Sequence, residues 1–196
     1  QDHLDDNSGH DFGRNILPSM VFSHVVGSYR FGGVEGRVTN DKYWRDVGTI
    51  DAYYEANMDL INPIPPIDLY QKDWLIRTYH GQYPSARMTL STSGEPATVT
   101  NSLLAAGDVI IGARVDRSIL SPEVWVDERA VVEDAILFQG VRVGPEARLK
   151  HCIVDKHVLI PPKEIIGHDL ERDRARFTVS EQGVIVVPKG YRFDAG

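Results

Sequence analysis

From Leu103 to Ile160 apolar residues recur every 17 positions, and a chain with that regularity has few folds open to it. Leu103, Leu120, Leu137 and Val154 fall in one column, and Val109, Val126, Val143 and Ile160 in a second. Ala113, Ala130 and Ala147 make a third, Val115, Val132 and Leu149 a fourth, and Gly107, Val124, Val141 and Val158 a fifth. Short apolar runs at a fixed period stack as coils, each burying its inner face against its neighbours. With three short strands per coil, at roughly six residues to a side, the stack is a triangular prism. Glycine, alanine and proline at the junctions let the backbone turn tightly. An antiparallel sandwich also alternates short runs, but its hairpin turns do not keep one register over repeated cycles.

The repeat also predicts the outer surface. Asp116, Glu133 and Lys150 should stand above one another, as should Arg117, Asp134 and His151, at a strand spacing of about 4.8 Å. Exposed opposite charges one coil apart contribute only about 0–1 kcal/mol, so such columns mark register more than they add stability. In Val124-Trp125-Val126 alternation points the valines inward and Trp125 outward, where a large aromatic suits contact with another subunit or domain. The direction of Phe138 is left open. After Pro161-Pro162 the register is expected to lapse, and Gly183-Val184-Ile185-Val186-Val187-Pro188 reads as a strand or hairpin closing the stack.

Composition narrows the function. Hydrophobic residues make up 42% of the 196 and charged residues 25%, which favours a folded core over disorder. A formal net charge of -7 gives no general attraction to nucleic acid or to an anionic membrane. No apolar stretch is long enough to span a bilayer. The single cysteine, Cys152, excludes an internal disulfide, and beside Ile153 it reads as a small buried hydrophobe in a reducing, cytoplasmic setting.

Ahead of the coils, residues 12, 16, 17, 20 and 21 are apolar at helix spacing, with Asp11 as N-cap and Pro18 bending or dividing the helix. Val25 to Phe31 reads as a strand and Gly32-Gly33 as a turn. Thr49 caps a helix on which Ile50, Tyr53, Tyr54, Asn57, Leu60 and Ile61 share one side. That puts Asp46 at a strand end or in a short loop, with Gly48 just before the helix. A carboxylate there can reach a hard cation, and the helix N-terminus behind it favours a phosphate. A lone aspartate before a helix is also an ordinary solvated side chain. Pro63-Ile64-Pro65-Pro66 is a stiff break, and Trp74-Leu75-Ile76 is expected to pack back on a domain.

Several of these segments together resemble bacterial ADP-glucose pyrophosphorylase (glucose-1-phosphate adenylyltransferase), in its C-terminal part. They are Ser8-Gly9-His10-Asp11-Phe12-Gly13 with Ile16-Leu17-Pro18, Tyr43-Trp44-Arg45-Asp46-Val47-Gly48-Thr49, Ala56-Asn57-Met58-Asp59-Leu60 and the proline-rich link. The coiled half resembles that family's left-handed parallel β-helix. The fold implied is mainly β, a left-handed parallel β-helix of hexapeptide-like coils, preceded by a remnant of an α/β nucleotidyltransferase domain. The implied domains are a catalytic-domain piece over 1–62, a linker over 63–95, the β-helix over 96–168 and a capping segment over 169–196.

The resemblance implies adenylyl transfer from ATP to glucose 1-phosphate, giving ADP-glucose and pyrophosphate for glycogen synthesis. In the family two aspartates hold Mg²⁺ at the reacting phosphates, and Asp46 matches the second of them. Trp44 and Arg45 are expected to shape that strand end, with Arg45 paired to a nearby carboxylate. The glycine-rich nucleotide loop, the first metal aspartate and the Glu-Lys-Pro sugar-phosphate segment have no counterpart here. The expectation is therefore a longer parent enzyme, with these residues alone inactive and serving assembly and regulation. Family members are usually homotetramers with small phosphorylated effectors, for which Arg87, Arg142, Arg148 and Lys156 are the candidate anion contacts and Trp125 the candidate interface. Competing readings are a non-catalytic scaffold subunit, a nucleotidyltransferase for another sugar, or a coil acyltransferase using His151 or His157 as base. The last leaves the Asp46 segment unexplained.

Overall fold

The computed structural model describes residues 11–28, 43–67, 69, 70, 72, 77 and 81–193. Two helices, α1 (Leu17–Val21) and α2 (Ile50–Met58), precede its body, a three-sided stack of parallel strands. The first coil carries β1 (Arg87–Thr89), β2 (Thr98–Thr100) and β3 (Leu103–Leu104). The second carries β4 (Val109–Ile111), β5 (Arg114–Asp116) and β6 (Ile119–Leu120). In the third, β7 (Trp125–Val126) precedes β8 (Val131–Leu137), which bends at a corner and serves two sides at once. The fourth repeats this with β9 (Arg142–Val143) and β10 (Arg148–Val154), and β11 (Leu159–Ile160) and β12 (Ile165–Ile166) begin a fifth.

Three left-handed residues turn each coil. Asn101, Arg117, Asp134 and His151 occupy one corner with φ between 44° and 50°. Glu123 and His157 turn the second together with Gly107 and Gly140, and Arg129, Glu146 and Lys163 turn the third with Gly112. The expected glycines and prolines are present in these turns, at Gly107, Gly112, Pro122, Gly140, Pro145 and Pro162, but most of the left-handed positions are charged or polar. Most of these side chains lie at a prism edge open to solvent, with His151 instead turned against Tyr54, and stacking of whole coils offsets a left-handed cost of roughly 1–2 kcal/mol per residue.

The register corrects the columns read from the sequence. The first side is lined inside by Ile110, Val126, Val143 and Ile160, with Val109 facing out opposite Trp125. The third side is lined by Leu104, Leu120, Leu137 and Val154, with Leu103 facing out. Ile110 and Val126 are 16 positions apart, so a strict count of 17 slips onto the neighbouring residue. The inward place of Val124, Val141 and Val158 is filled in the second coil by Asp108, not Gly107. The carbonyls of all four accept equivalent bonds, from the amides of Arg142, Trp125, Val109 and Arg87. Asp108 is fully buried, and its carboxyl accepts from the amides of Ala105 at 2.8 Å and Val124 at 3.0 Å.

Stacking also starts earlier and ends later than the period implies. Met88 pairs with Ile110, 22 positions on, because the loop at 90–97 lengthens the first coil and hides its repeat. Thr92 pins that loop by donating through its amide and hydroxyl to Glu128. Register does not lapse after Pro161-Pro162, since Leu149 still pairs with Ile166 17 positions on. The chain departs at Gly167, where a Cβ would collide with the Lys150 carbonyl oxygen, and runs through α3 (Leu170–Arg174) and β13 (Thr178–Val179). It returns as β14 (Ile185–Val187), antiparallel to β13 and parallel to β10, so the expected closing hairpin is present. Phe177, Tyr191 and Phe193 pack together over this end of the core.

The third side differs from the others by being apolar on both faces. Leu103, Ile119, Ile136, Ile153 and Val186 form its outer column, and α2 lies against them. Tyr54, Met58 and Ile61 are the buried residues on the helix side, with Phe138 turned towards Tyr53 at 6.4 Å. Consecutive apolar residues such as Ile136-Leu137 are what a strand needs when both its faces are covered. Farther upstream, Asp11 caps a wide turn over Phe12–Ile16 that passes into α1, with Pro18 in its first turn. Val25 to Ser28 form no strand, and the remainder of that expected strand, Gly32-Gly33, Ser8 to His10 and Trp74 to Ile76 lie outside the described residues.

Candidate functional site

Asp46 sits in an exposed loop directly ahead of α2. Its Oδ1 accepts the Gly48 amide at 3.1 Å, and Thr49 Oγ1 then accepts the Ala52 amide at 3.1 Å to cap the helix. The chain is thus folded back sharply between carboxylate and helix. The side chain before Asp46 braces it: Arg45 pairs with Glu55 at 2.8 Å and Asp59 at 3.1 Å, one turn apart along α2 and its continuation. Tyr43 Oη donates to the same Asp59 at 3.0 Å, and burial, then this bond, holds its phenol above the ordinary value. Arg45 therefore acts on the helix, as expected. Glu55 and Asp59 were not singled out from sequence, although their i, i+4 spacing on the helix was the available signal.

Asp46 offers one carboxylate to a cation. Among the described residues no group of three or more His, Cys, Asp or Glu side chains converges on a metal position. A hard divalent ion takes six or more oxygen ligands and accepts many of them from water and phosphate. One exposed carboxylate, that of Asp46, is compatible with part of such a shell and does not complete it.

The helix that carries this loop is bonded to the coils. Tyr54 Oη donates to the carbonyl oxygen of Asp134 at 2.7 Å and lies 3.2 Å from His151 Nδ1. The phenol has one proton, which Asp134 receives, so His151 Nδ1 carries the hydrogen in the second bond. Burial raises the Tyr54 phenol far above its usual range. His151 is thereby a structural joint. Cys152 is fully buried and its thiol is pushed up to about 12 by burial, which fits the inert hydrophobe read from sequence.

The four candidate anion contacts do not share one place. Arg87 and Arg142 both face out from the first side, separated by Val109 and Trp125. Arg148 begins β10 on the second side, and Lys156 lies in the turn between β10 and β11. Trp125 does face outward, half-buried, with the Arg142 guanidinium 5.6 Å from its ring centre. These two line an open groove of about 1060 Å³ with His157, Leu159, Tyr191 and Arg192. Arg192 and Tyr191 were not foreseen, because only the returning C-terminal segment brings them to the first side. The expected charge columns are present: Asp116, Glu133 and Lys150 pair in register, and Arg117 meets Asp134 at 2.6 Å. Among the described residues no helix is long and apolar enough to cross a membrane.

Two family models match successive parts of this chain. A family model described as "Nucleotidyl transferase" matches residues 2–62, and one described as "GlmU-like, C-terminal hexapeptide" matches residues 84–187. The molecule is thus a nucleotidyltransferase-like segment packed on a hexapeptide β-helix. "Glucose-1-phosphate adenylyltransferase 2" of Vibrio cholerae is 48% identical over 96% of this chain and 46% of its own length. "Glucose-1-phosphate adenylyltransferase" of Koribacter versatilis is 41% identical over 97% and 45%, and that of Deinococcus radiodurans 42% identical over 95% and 46%. The chain belongs to the GlmU-like hexapeptide family and corresponds to part of the glucose-1-phosphate adenylyltransferases, the ADP-glucose pyrophosphorylases. It spans about half the length of these relatives.

Proposed function

We propose that this chain is the C-terminal half of an enzyme that transfers adenylyl from ATP to glucose 1-phosphate. A phosphate oxygen of the sugar attacks the α-phosphorus, the bond to the β-phosphate breaks, and ADP-glucose and pyrophosphate result. What supports the reading is the succession of a nucleotidyltransferase match and a hexapeptide match along this chain, together with relatives bearing that name. Asp46 would hold a magnesium ion, which when bound would neutralise charge on the reacting phosphates. Asp46 holds its carboxylate at the loop, and Arg45, Glu55, Asp59 and Tyr43 fix the loop on its helix. These 196 residues carry no nucleotide-binding loop and are inactive alone; the coils serve assembly through Trp125 and effector binding through Arg142, Lys156, Arg148 and Arg87.

The test compares a full-length protein containing these residues with the present chain. ADP-glucose and pyrophosphate are expected from the former, with a loss of about a hundredfold or more for Asp46→Asn, as for other groups that stabilise developing charge. A different sugar nucleotide as product overturns the substrate assignment. Pyrophosphate release by the 196 residues alone, abolished by Asp46→Asn, overturns their inactivity.

A further inference from the structure

The excursion that closes the coil stack does more than cover its end. Val154 pairs with Val187, 33 positions on, where the period would return after 17. Covering the core needs Ile185 and Val187, with Phe177 packed beside them, all buried inside the prism. The turn between β13 and β14 instead reaches outward to the first turn of α2. Ser180 Oγ donates to Asp51 Oδ1 in a short bond, and the Gln182 amide lies 3.4 Å from Asp51 Oδ2. The turn is itself fixed: Ser180 Oγ accepts the Val184 amide at 2.9 Å, the Ser180 amide donates to the Val184 carbonyl at 3.0 Å, and Val184 is buried beside Tyr54.

Asp51 could serve its helix merely as an acid in the first turn, favoured there by the helix dipole. That role leaves a carboxylate pointing to water, whereas both oxygens of Asp51 are directed at residues 129 and 131 positions away. Two further contacts fix α2 along its length, Tyr54 on the third coil and Met58 with Ile61 on the outer isoleucine column. At the end from which the Asp46 loop leaves, Ile50 packs on the same apolar cluster and Asp51 supplies the hydrogen bonds to the β13–β14 turn. The chain between Asp46 and Asp51 is short and bonded throughout, by Gly48 to Asp46, by Ala52 to Thr49 Oγ1 and by Tyr53 to the Thr49 carbonyl.

We propose that Ser180 and its turn are a positioning element for Asp46, acting through Asp51 and the first turn of α2. The inference deepens the reading of Asp46 as a cation ligand and rests on it. A displacement of the β13–β14 turn shifts the helix start and hence the direction of the Asp46 carboxylate, while the prism core stays intact.

The experiment uses the present chain, with amide exchange followed by NMR and Mn²⁺ as a paramagnetic probe. Ser180→Ala and Asp51→Asn are expected to speed exchange at Gly48, Ala52 and Tyr53 by about tenfold, the size of one charge-assisted hydrogen bond. Amides of Val132 and Leu149 in the prism should be unaffected, and Ser180→Thr, which keeps the hydroxyl, should restore protection. Glu171→Ala, on the exposed side of α3, serves as the control for a general loosening of the cap. In the wild-type chain Mn²⁺ should broaden the Gly48 signal, Asp46→Asn should remove that effect, and Ser180→Ala should weaken it several-fold. Absence of Mn²⁺ broadening in the wild type counts against the cation reading alone, and exchange still decides whether Ser180 positions the loop. Unchanged exchange at Gly48, Ala52 and Tyr53 in folded Ser180→Ala and Asp51→Asn overturns the positioning role. If Ser180→Ala does not fold, Asp51→Asn with the Ser180→Thr rescue carries the same decision.

Discussion

The phenol of Tyr54 donates to the carbonyl oxygen of Asp134 at 2.7 Å, joining a helix to a coil corner 80 positions along the chain. The corner is one of the left-handed residues that turn the prism, so the bond reads its backbone and not its side chain. His151, one coil further on, donates to the same phenol and lies edge-on to its ring at 4.8 Å. A helix of the nucleotidyltransferase-like segment and the β-helix are therefore one packed unit here.

Replacing Tyr54 with phenylalanine keeps the ring in the apolar cluster and removes both hydrogen bonds. The expected loss is about 1–3 kcal/mol, because the Asp134 carbonyl and His151 Nδ1 lose a partner in a largely buried place. Urea unfolding measures it, and an unchanged midpoint removes the bond from the account of how the helix is held.

Ile136 and Leu159 both face outward from a strand, yet they should respond in opposite ways. Ile136 is 1% exposed beneath α2, and Ile136→Ala should cost about 2–5 kcal/mol through the cavity it leaves. Leu159 is 63% exposed on the first side, and Leu159→Lys should stay within about 0.5 kcal/mol of wild type. Equal costs in thermal or urea unfolding would mean that the third side is not distinguished by its helix.

Asp108 should give stability an unusual pH dependence. Burial raises its carboxyl to about 7, against which the bonds from Ala105 and Val124 act in the lowering direction. The folded state therefore binds this proton more tightly than the unfolded state between the ordinary carboxyl value near 4 and about 7. Over that window the unfolded chain has fewer protons bound, so the contribution is most favourable below it and falls as pH rises through it. Asp108→Asn should flatten this slope relative to wild type, read as unfolding free energy at pH 5, 6, 7 and 8. Parallel wild-type and Asp108→Asn curves would show that the carboxyl does not titrate in the fold.

Trp125 carries the proposed assembly surface, with Arg142 stacked on it and Leu159 one coil further on, next to Arg142 in the outward column. Trp125→Glu should lower the solution mass measured by light scattering to that of one chain while leaving the circular dichroism unchanged. The same mass for both proteins assigns the contact elsewhere.

The sequence by itself determined the prism, because a coil buries its inner residues only if they return at a near-constant interval. It also determined that Thr49 starts a helix and that Trp125 faces out, since both follow from local periodicity. Single-residue slips were illegible: Ile110, Leu104 and Asp108 rather than Val109, Leu103 and Gly107 line the core, and only strand pairing fixes which neighbour faces inward. Asp46 was recognisable as a candidate from its surrounding motif, and Arg45 as a partner for some carboxylate. Which carboxylates, and what the helix then rests on, depend on contacts such as Tyr54 with Asp134 and Asp51 with Ser180. Those bonds join residues whose separation along the chain bears no relation to the repeat. Tertiary structure alone decided them, because the third side is apolar outside as well as inside and a helix had to cover it.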